Sequence, residues 1–156
     1  MRIKSDFLVI GSGIAGLSYA LQAADHGSVA LITKYNVSES ATNYAQGGIA
    51  SVISSEDSFE SHINDTMIAG AGLCREDVVR MVVEEGPKTI QNLIDWGVKF
   101  TTKGSGYDLT REGGHSARRV LHAKDITGRE IQRALVEAAR NHKNITIYEH
   151  LIFWSD

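Results

Sequence analysis

The chain has 156 residues, 42% of them hydrophobic and 22% charged, a balance that buries a core in a single domain and excludes a disordered chain. Its formal net charge of -3, with both signs spread along the sequence, offers no basic stripe for neutralising phosphates, so nucleic-acid binding is disfavoured. The single cysteine, Cys74, rules out an internal disulfide and any CxxC metal or redox site, and fits a reduced, cytoplasmic compartment.

Phe7-Leu8-Val9-Ile10 is a continuous apolar run closed by Gly11, the pattern of a strand buried on both faces of a parallel sheet. It is too short for a signal-peptide core, and no stretch approaches the roughly 20 apolar residues that cross a bilayer, so a soluble chain without membrane contact is expected. Ile14, Leu17, Leu21 and Ala24 then recur at helical spacing to about residue 25, with Gly27 placed as a helix terminator. Val29–Ile32 reads as a second buried strand, which completes a βαβ unit.

From Lys34 to Ala50 the pattern dissolves into Ser, Asn, Thr and Gly, a long polar loop of the kind that is functional or disordered. Helices are predicted over 58–69 and 76–85. Pro87, which lacks a backbone donor, is expected to end the second and start a further helix through Trp96. A short strand is predicted over 98–101, then a glycine-rich excursion over 103–114. Thr127-Gly128-Arg129-Glu130 has the form of a capping box for a helix to about Asn141, and 145–153 supplies a last strand.

Gly11-Ser12-Gly13-Ile14-Ala15-Gly16 fits GxGxxG directly between the first strand and the first helix. Gly11 permits the tight turn, Gly13 lets backbone approach a pyrophosphate, and Gly16 allows close packing of helix on sheet. The helix N-terminus then presents free amides and partial positive charge to the phosphates. An acidic residue that would hold the adenosine ribose is expected at the end of the second strand, but Thr33-Lys34 stands there. A lysine only donates, so Lys34 either holds ribose oxygens or a 2′-phosphate or is simply solvated, and NADP stays open as a ligand.

Ser40-Ala41-Thr42-Asn43-Tyr44-Ala45-Gln46-Gly47-Gly48 is rich in hydroxyls, amides and glycines suited to wrapping phosphates. With the strand-ending Thr-Lys and the glycine fingerprint it resembles the succinate dehydrogenase and fumarate reductase flavoprotein family, whose loop ending Ala-Gln-Gly-Gly contacts FAD. Asp65-Thr66-Met67-Ile68-Ala69-Gly70-Ala71-Gly72 and His122-Ala123-Lys124-Asp125-Ile126-Thr127-Gly128 are similar to further segments of that family. The resemblance runs from about residue 6 to residue 150. It implies an α/β, Rossmann-like FAD-binding fold with a parallel sheet flanked by helices. Ala41 appears at the place where membrane-bound members carry the histidine that links FAD covalently, so non-covalent FAD is expected.

Arg111-Glu112-Gly113-Gly114-His115-Ser116 departs from the Phe-Gly-Gly of the dicarboxylate enzymes and is similar to the branch that oxidises L-aspartate. Aspartate adds an ammonium to two carboxylates, and Glu112 is the candidate acceptor for it; the alternative is a surface glutamate paired with Arg111. His115 either faces the flavin or a substrate carboxylate or is a structural histidine. His115 and His122, with no third ligand nearby, do not match zinc spacing, and no metal is expected. His26, His62, His142 and His150 read as surface residues, Asp125 and Thr127 as helix-entry residues, and Cys74 as a small buried hydrophobe.

The resemblance implies oxidation of L-aspartate to iminoaspartate, the first step of NAD and quinolinate synthesis, by hydride transfer to FAD with oxygen or fumarate as electron acceptor and quinolinate synthase as a partner. It further implies that 156 residues are the N-terminal part of the FAD-binding domain, without the capping domain, the C-terminal helical domain or the catalytic arginine. Such a fragment is expected to be inactive alone. A soluble fumarate reductase or succinate dehydrogenase flavoprotein, or a non-catalytic dinucleotide-binding module, are the competing readings.

Overall fold

The computed structural model describes residues 3–124 and 126–152. The elements run β1 (Phe7–Ile10), α1 (Ile14–Ala23), β2 (Val29–Ile32), α2 (Ala41–Tyr44), β3 (Ile49–Ala50), α3 (Phe59–Ala69) and α4 (Glu76–Asp95). They continue with β4 (Thr102–Lys103), β5 (Gly106–Tyr107), β6 (Val120–Leu121), α5 (Thr127–Asn141) and β7 (Ile145–Tyr148). Two units result, one from residues 1–45, 96–98 and 128–156 and the other from residues 46–95 and 99–127.

The first unit is a parallel sheet of order β1-β2-β7 flanked by helices, with Phe7 opposite Val29 and Val29 opposite Ile145. The expected βαβ unit is therefore present, with both strands at the predicted residues. Its core joins Val9, Val29 and Leu31 of the sheet with Leu17, Ala20 and Leu21 of α1 and Ile131, Leu135 and Ala139 of α5, all buried. β1 departs from the expectation of burial on both faces. Among the described residues it lies at the edge of the sheet; Val9, against Gly16 of α1, is buried and Phe7 half-buried, while Leu8 and Ile10 are 54% and 59% exposed.

Gly27 does not terminate α1, whose C-cap is Ala24 in a right-handed conformation. Its role is close approach: a Cβ at 27 would overlap the Asp6 side chain, whose carboxylate accepts from the Ser28 amide at 2.7 Å and the Ser28 hydroxyl at 2.6 Å. The capping box is also corrected. Thr127 lies inside α5, and its hydroxyl accepts from the upstream Ala123 amide at 3.2 Å, while both Glu130 oxygens engage Arg133. Asp125 and Phe153 lie outside the described residues. The last strand ends at Tyr148.

In the second unit β3 and β6 pair antiparallel, and α3 packs on α4. Ser58 caps α3 by accepting from the Ser61 amide at 3.1 Å, as the hydroxyl before an apolar run suggests. α4 runs unbroken through Pro87, against the predicted break. An internal proline costs about 3 kcal/mol in an isolated helix. Here Val83, Ile90 and Leu93, on either side of the proline, are all buried and together outweigh that cost. The strand predicted over 98–101 does not form there: Phe100 is buried, the Thr101 backbone bonds His122 and Asp108, and the strand ladder is Thr102–Lys103 in a hairpin with Gly106–Tyr107. Apolar residues there fill the core without a strand partner, which periodicity alone does not distinguish.

Candidate functional site

In the first unit the long polar segment is ordered by side chains. Ser40 caps α2, accepting from the Asn43 amide, and donates its hydroxyl to Gln132 Oε1 at 2.8 Å. Thr42 accepts from the Ile14 amide, the first of α1, at 3.0 Å. Gly11 takes φ +101°, open to glycine, while its amide donates to the Ile32 carbonyl. A Cβ at Gly16 would run into the Gly11 carbonyl, so α1 starts directly against the turn. Buried Ser12 shares a hydrogen bond with Thr33 across β1 and β2 at 3.1 Å.

The Ala15 and Gly16 amides of the first turn have no intrahelical acceptor. Beside them a groove of about 350 Å3 lies over the carboxyl ends of β1 and β2, where α/β sheets take ligands. Gly11, Ser12, Thr33, Lys34, Glu39 and Ser40 line it. Glycine backbone, unpaired helical amides and hydroxyls form a donor set that could hold a dinucleotide pyrophosphate. Lys34 is exposed, with Nζ 5.2 Å from the Tyr35 ring centroid. The carboxylate missing from the strand end enters the same groove five residues later as Glu39, which accepts from the Tyr44 hydroxyl at 2.7 Å. Of the remaining predicted loop residues in this unit, Thr42 and Asn43 are half-buried and Ala41, Tyr44 and Ala45 exposed.

Gln46, Gly47, Gly48, Glu112 and His115 belong to the second unit. Gly48 lies against Val120 and Leu121 of β6, with no room for a Cβ. Glu112 and His115 stand at the two ends of one turn, closed by the His115 amide donating to the Glu112 carbonyl at 3.2 Å with Gly114 at φ +86°. Glu112 is exposed, and among the described residues no ion pair joins it to Arg111. The two predicted substrate residues are thus brought together by the Gly-Gly between them.

Behind His115 lies a charged cluster that sequence reasoning missed. Arg119 is fully buried and donates to Asp57 through Nε at 2.7 Å and Nη2 at 2.8 Å. It also donates to Asp65 at 2.6 Å, Ser61 Oγ at 2.8 Å and His115 Nδ1 at 3.2 Å. Asp57 is held below the usual carboxylate range, chiefly by the Arg119 hydrogen bonds. Burial works to raise Asp65, but the Ser116 amide and hydroxyl and Arg119 outweigh it and lower its pKa to about 2. His62, expected at the surface, is buried with its ring edge 5.5 Å from that of His115; burial, then the positive Arg119, lowers its pKa. Cys74, expected to be buried, is only half-buried and donates weakly to the Thr66 carbonyl.

Gln132 was likewise missed. Its buried amide donates to the Ser12 carbonyl at 2.9 Å and the Val37 carbonyl at 2.8 Å, tying the glycine turn to the polar loop. A cue existed in that Gln132 interrupts the apolar stripe Ile131, Leu135 and Ala139. For Arg119 the cue is weaker, a cation abutting the apolar pair Val120-Leu121. Among the described residues no cluster of His, Cys, Asp and Glu could hold a metal, and no helix is long and apolar enough to cross a membrane.

A glycine cradle at the carboxyl ends of a parallel sheet is the pattern of a dinucleotide-binding domain. The chain matches the FAD binding domain family over residues 6–155 and belongs to that family. It is 57% identical to L-aspartate oxidase 2-a, chloroplastic, of Nicotiana tabacum over 146 residues, 93% of this chain and 23% of that protein. To L-aspartate oxidase of Vibrio cholerae it is 53% identical, over 94% of this chain and 28% of that one. The chain thus spans about a quarter of the length of these relatives. A point variant of E. coli quinol fumarate reductase FrdA superposes with a TM-score of 0.90 at 32% identity, over 96% of this chain and 26% of FrdA. Mycobacterium smegmatis Sdh1 does so with 0.83 at 29% identity.

Proposed function

We propose that the chain is the N-terminal part of the FAD-binding domain of an L-aspartate oxidase, with the capping and C-terminal helical domains in the rest of the protein. The supporting observation is the turn that sets the Glu112 carboxylate and the His115 imidazole at its two ends. Identity of 57% to an L-aspartate oxidase against 32% to a fumarate reductase points the same way.

In this reading Gly11–Gly16, Lys34 and Ala41–Gly48 hold FAD. Glycine backbone and first-turn amides take the pyrophosphate, and Glu39 takes ribose hydroxyls in place of the absent strand-end acid. A carboxylate in that groove repels a 2′-phosphate, which favours FAD over NADP. Ala41 has no nucleophile, so the flavin is held non-covalently. When bound, FAD supplies the two-electron acceptor for oxidation of L-aspartate to iminoaspartate. Glu112 accepts from the substrate ammonium, and His115 donates to a substrate carboxylate. Electrons pass on to oxygen or fumarate, the product passes to quinolinate synthase in the cytoplasm, and the 156 residues alone are inactive.

The test is Glu112→Gln in the complete enzyme. The expected outcome is a rise of about tenfold or more in KM for L-aspartate, as for a lost hydrogen bond to a charged group, with fumarate reduction largely spared. Equal loss of both activities would assign Glu112 to folding or flavin binding. Turnover of succinate with no response to aspartate would favour a fumarate reductase instead.

A further inference from the structure

The Arg119 guanidinium has five N–H donors, and five acceptors meet them: two oxygens of Asp57, one of Asp65, Ser61 Oγ and His115 Nδ1. Guanidinium cannot accept a hydrogen bond and stays charged. The ring nitrogen facing it must therefore be the acceptor, and the imidazole proton sits on Nε2. The opposite tautomer would set two donors against each other beside a fully buried side chain.

Other contacts keep the ring in place. Asp65 Oδ2 accepts from Arg119 and also from the Ser116 amide at 2.7 Å and hydroxyl at 2.8 Å, so the residue after His115 is anchored on the same carboxylate. Ser61 shares a hydrogen bond with the Ser116 hydroxyl at 3.1 Å, and the His62 ring lies edge-on to His115. His115 Nε2 makes no hydrogen bond to another described residue.

We propose that Arg119 is a positioning residue that locks His115 as the Nε2–H tautomer, so that the turn offers a donor at His115 opposite the acceptor at Glu112. This rests on the substrate reading above and deepens it. A turn with an acceptor at one end and a donor at the other matches a zwitterion carrying both ammonium and carboxylate, whereas a plain dicarboxylate satisfies only the donor. Arg119 makes no substrate contact in this scheme and acts through His115.

The test uses 15N-histidine-labelled 156-residue chain and long-range proton–nitrogen correlation spectra of the unprotonated imidazoles, with His115 assigned from the spectrum of His115→Gln. The expected result is His115 Nδ1 in the bare-acceptor range and Nε2 in the protonated range. The reverse pattern overturns the proposal whatever the substrate, and needs no Arg119 variant to fold. In the complete enzyme Arg119→Lys, which keeps the charge but not the fork, is expected to mix the two tautomers and to raise KM for L-aspartate about tenfold at unchanged flavin content. A locked tautomer in the native chain together with a KM indifferent to His115→Asn would overturn the substrate reading and leave the Arg119 geometry standing.

Discussion

The two units tie distant segments together by opposite chemistries. In the first, the neutral amide of Gln132 joins the glycine turn to the polar loop through two carbonyls and one hydroxyl. In the second, the cation Arg119 joins α3 and its preceding loop to the turn of Glu112 and His115 through two carboxylates, a hydroxyl and an imidazole. Both linkers are fully satisfied, yet the consequences of losing them differ. Neutral carbonyls left without a donor cost their desolvation, whereas carboxylates left without a cation are uncompensated buried charge.

The contrast can be broken by experiment. Arg119→Met should cost about 3–5 kcal/mol of unfolding free energy in urea titration, because Asp57 and Asp65 stay buried without their partner. Gln132→Leu should cost less, about 2–3 kcal/mol, and a loss equal to that of Arg119→Met would remove the distinction between the linkers. Smaller still is the acid response. Asp65 has its pKa lowered from 3.8 to about 2 in the folded chain, so its contribution, roughly 1–2 kcal/mol, is complete well above pH 3.8 and is lost as pH falls through 3.8 toward 2. Denaturation midpoints that fall over that window in the native chain, and fall less in Asp65→Asn, where Asp57 still titrates below the usual range, are the expected pattern. A flat profile in the native chain would separate Asp65 from the charged linker.

What the sequence showed and hid follows the same division. β1, β2, α1, α3 and α5 were legible because apolar periodicity acts between neighbours in the chain. The glycine turn after β1 was legible as well, since it is a local backbone shape. Pro87 misled because burial of Val83, Ile90 and Leu93 overrides a local rule, and the apolar residues around Phe100 fill the core without strand pairing. The burial of His62 was illegible, since His115 and Arg119, which surround it, are far along the chain. Arg119 reaches partners 62, 58 and 54 residues earlier, and Gln132 reaches Ser12 across 120. Nothing local announces such pairings beyond one polar residue in an apolar stripe.

The start of α5 carries a last implication. A Cβ at Gly128 would strike the carbonyls of Thr42 and Ala45 and the Ala45 methyl, and the Gly128 amide already donates to the Ala45 carbonyl at 3.0 Å. Thr42 in turn holds the opening amide of α1. One added methyl at position 128 would therefore lever the 42–45 segment outward and drag on the first turn of α1. A residue with no side chain thus works as a spacer gauge, setting how closely α5 and the 42–45 segment can approach.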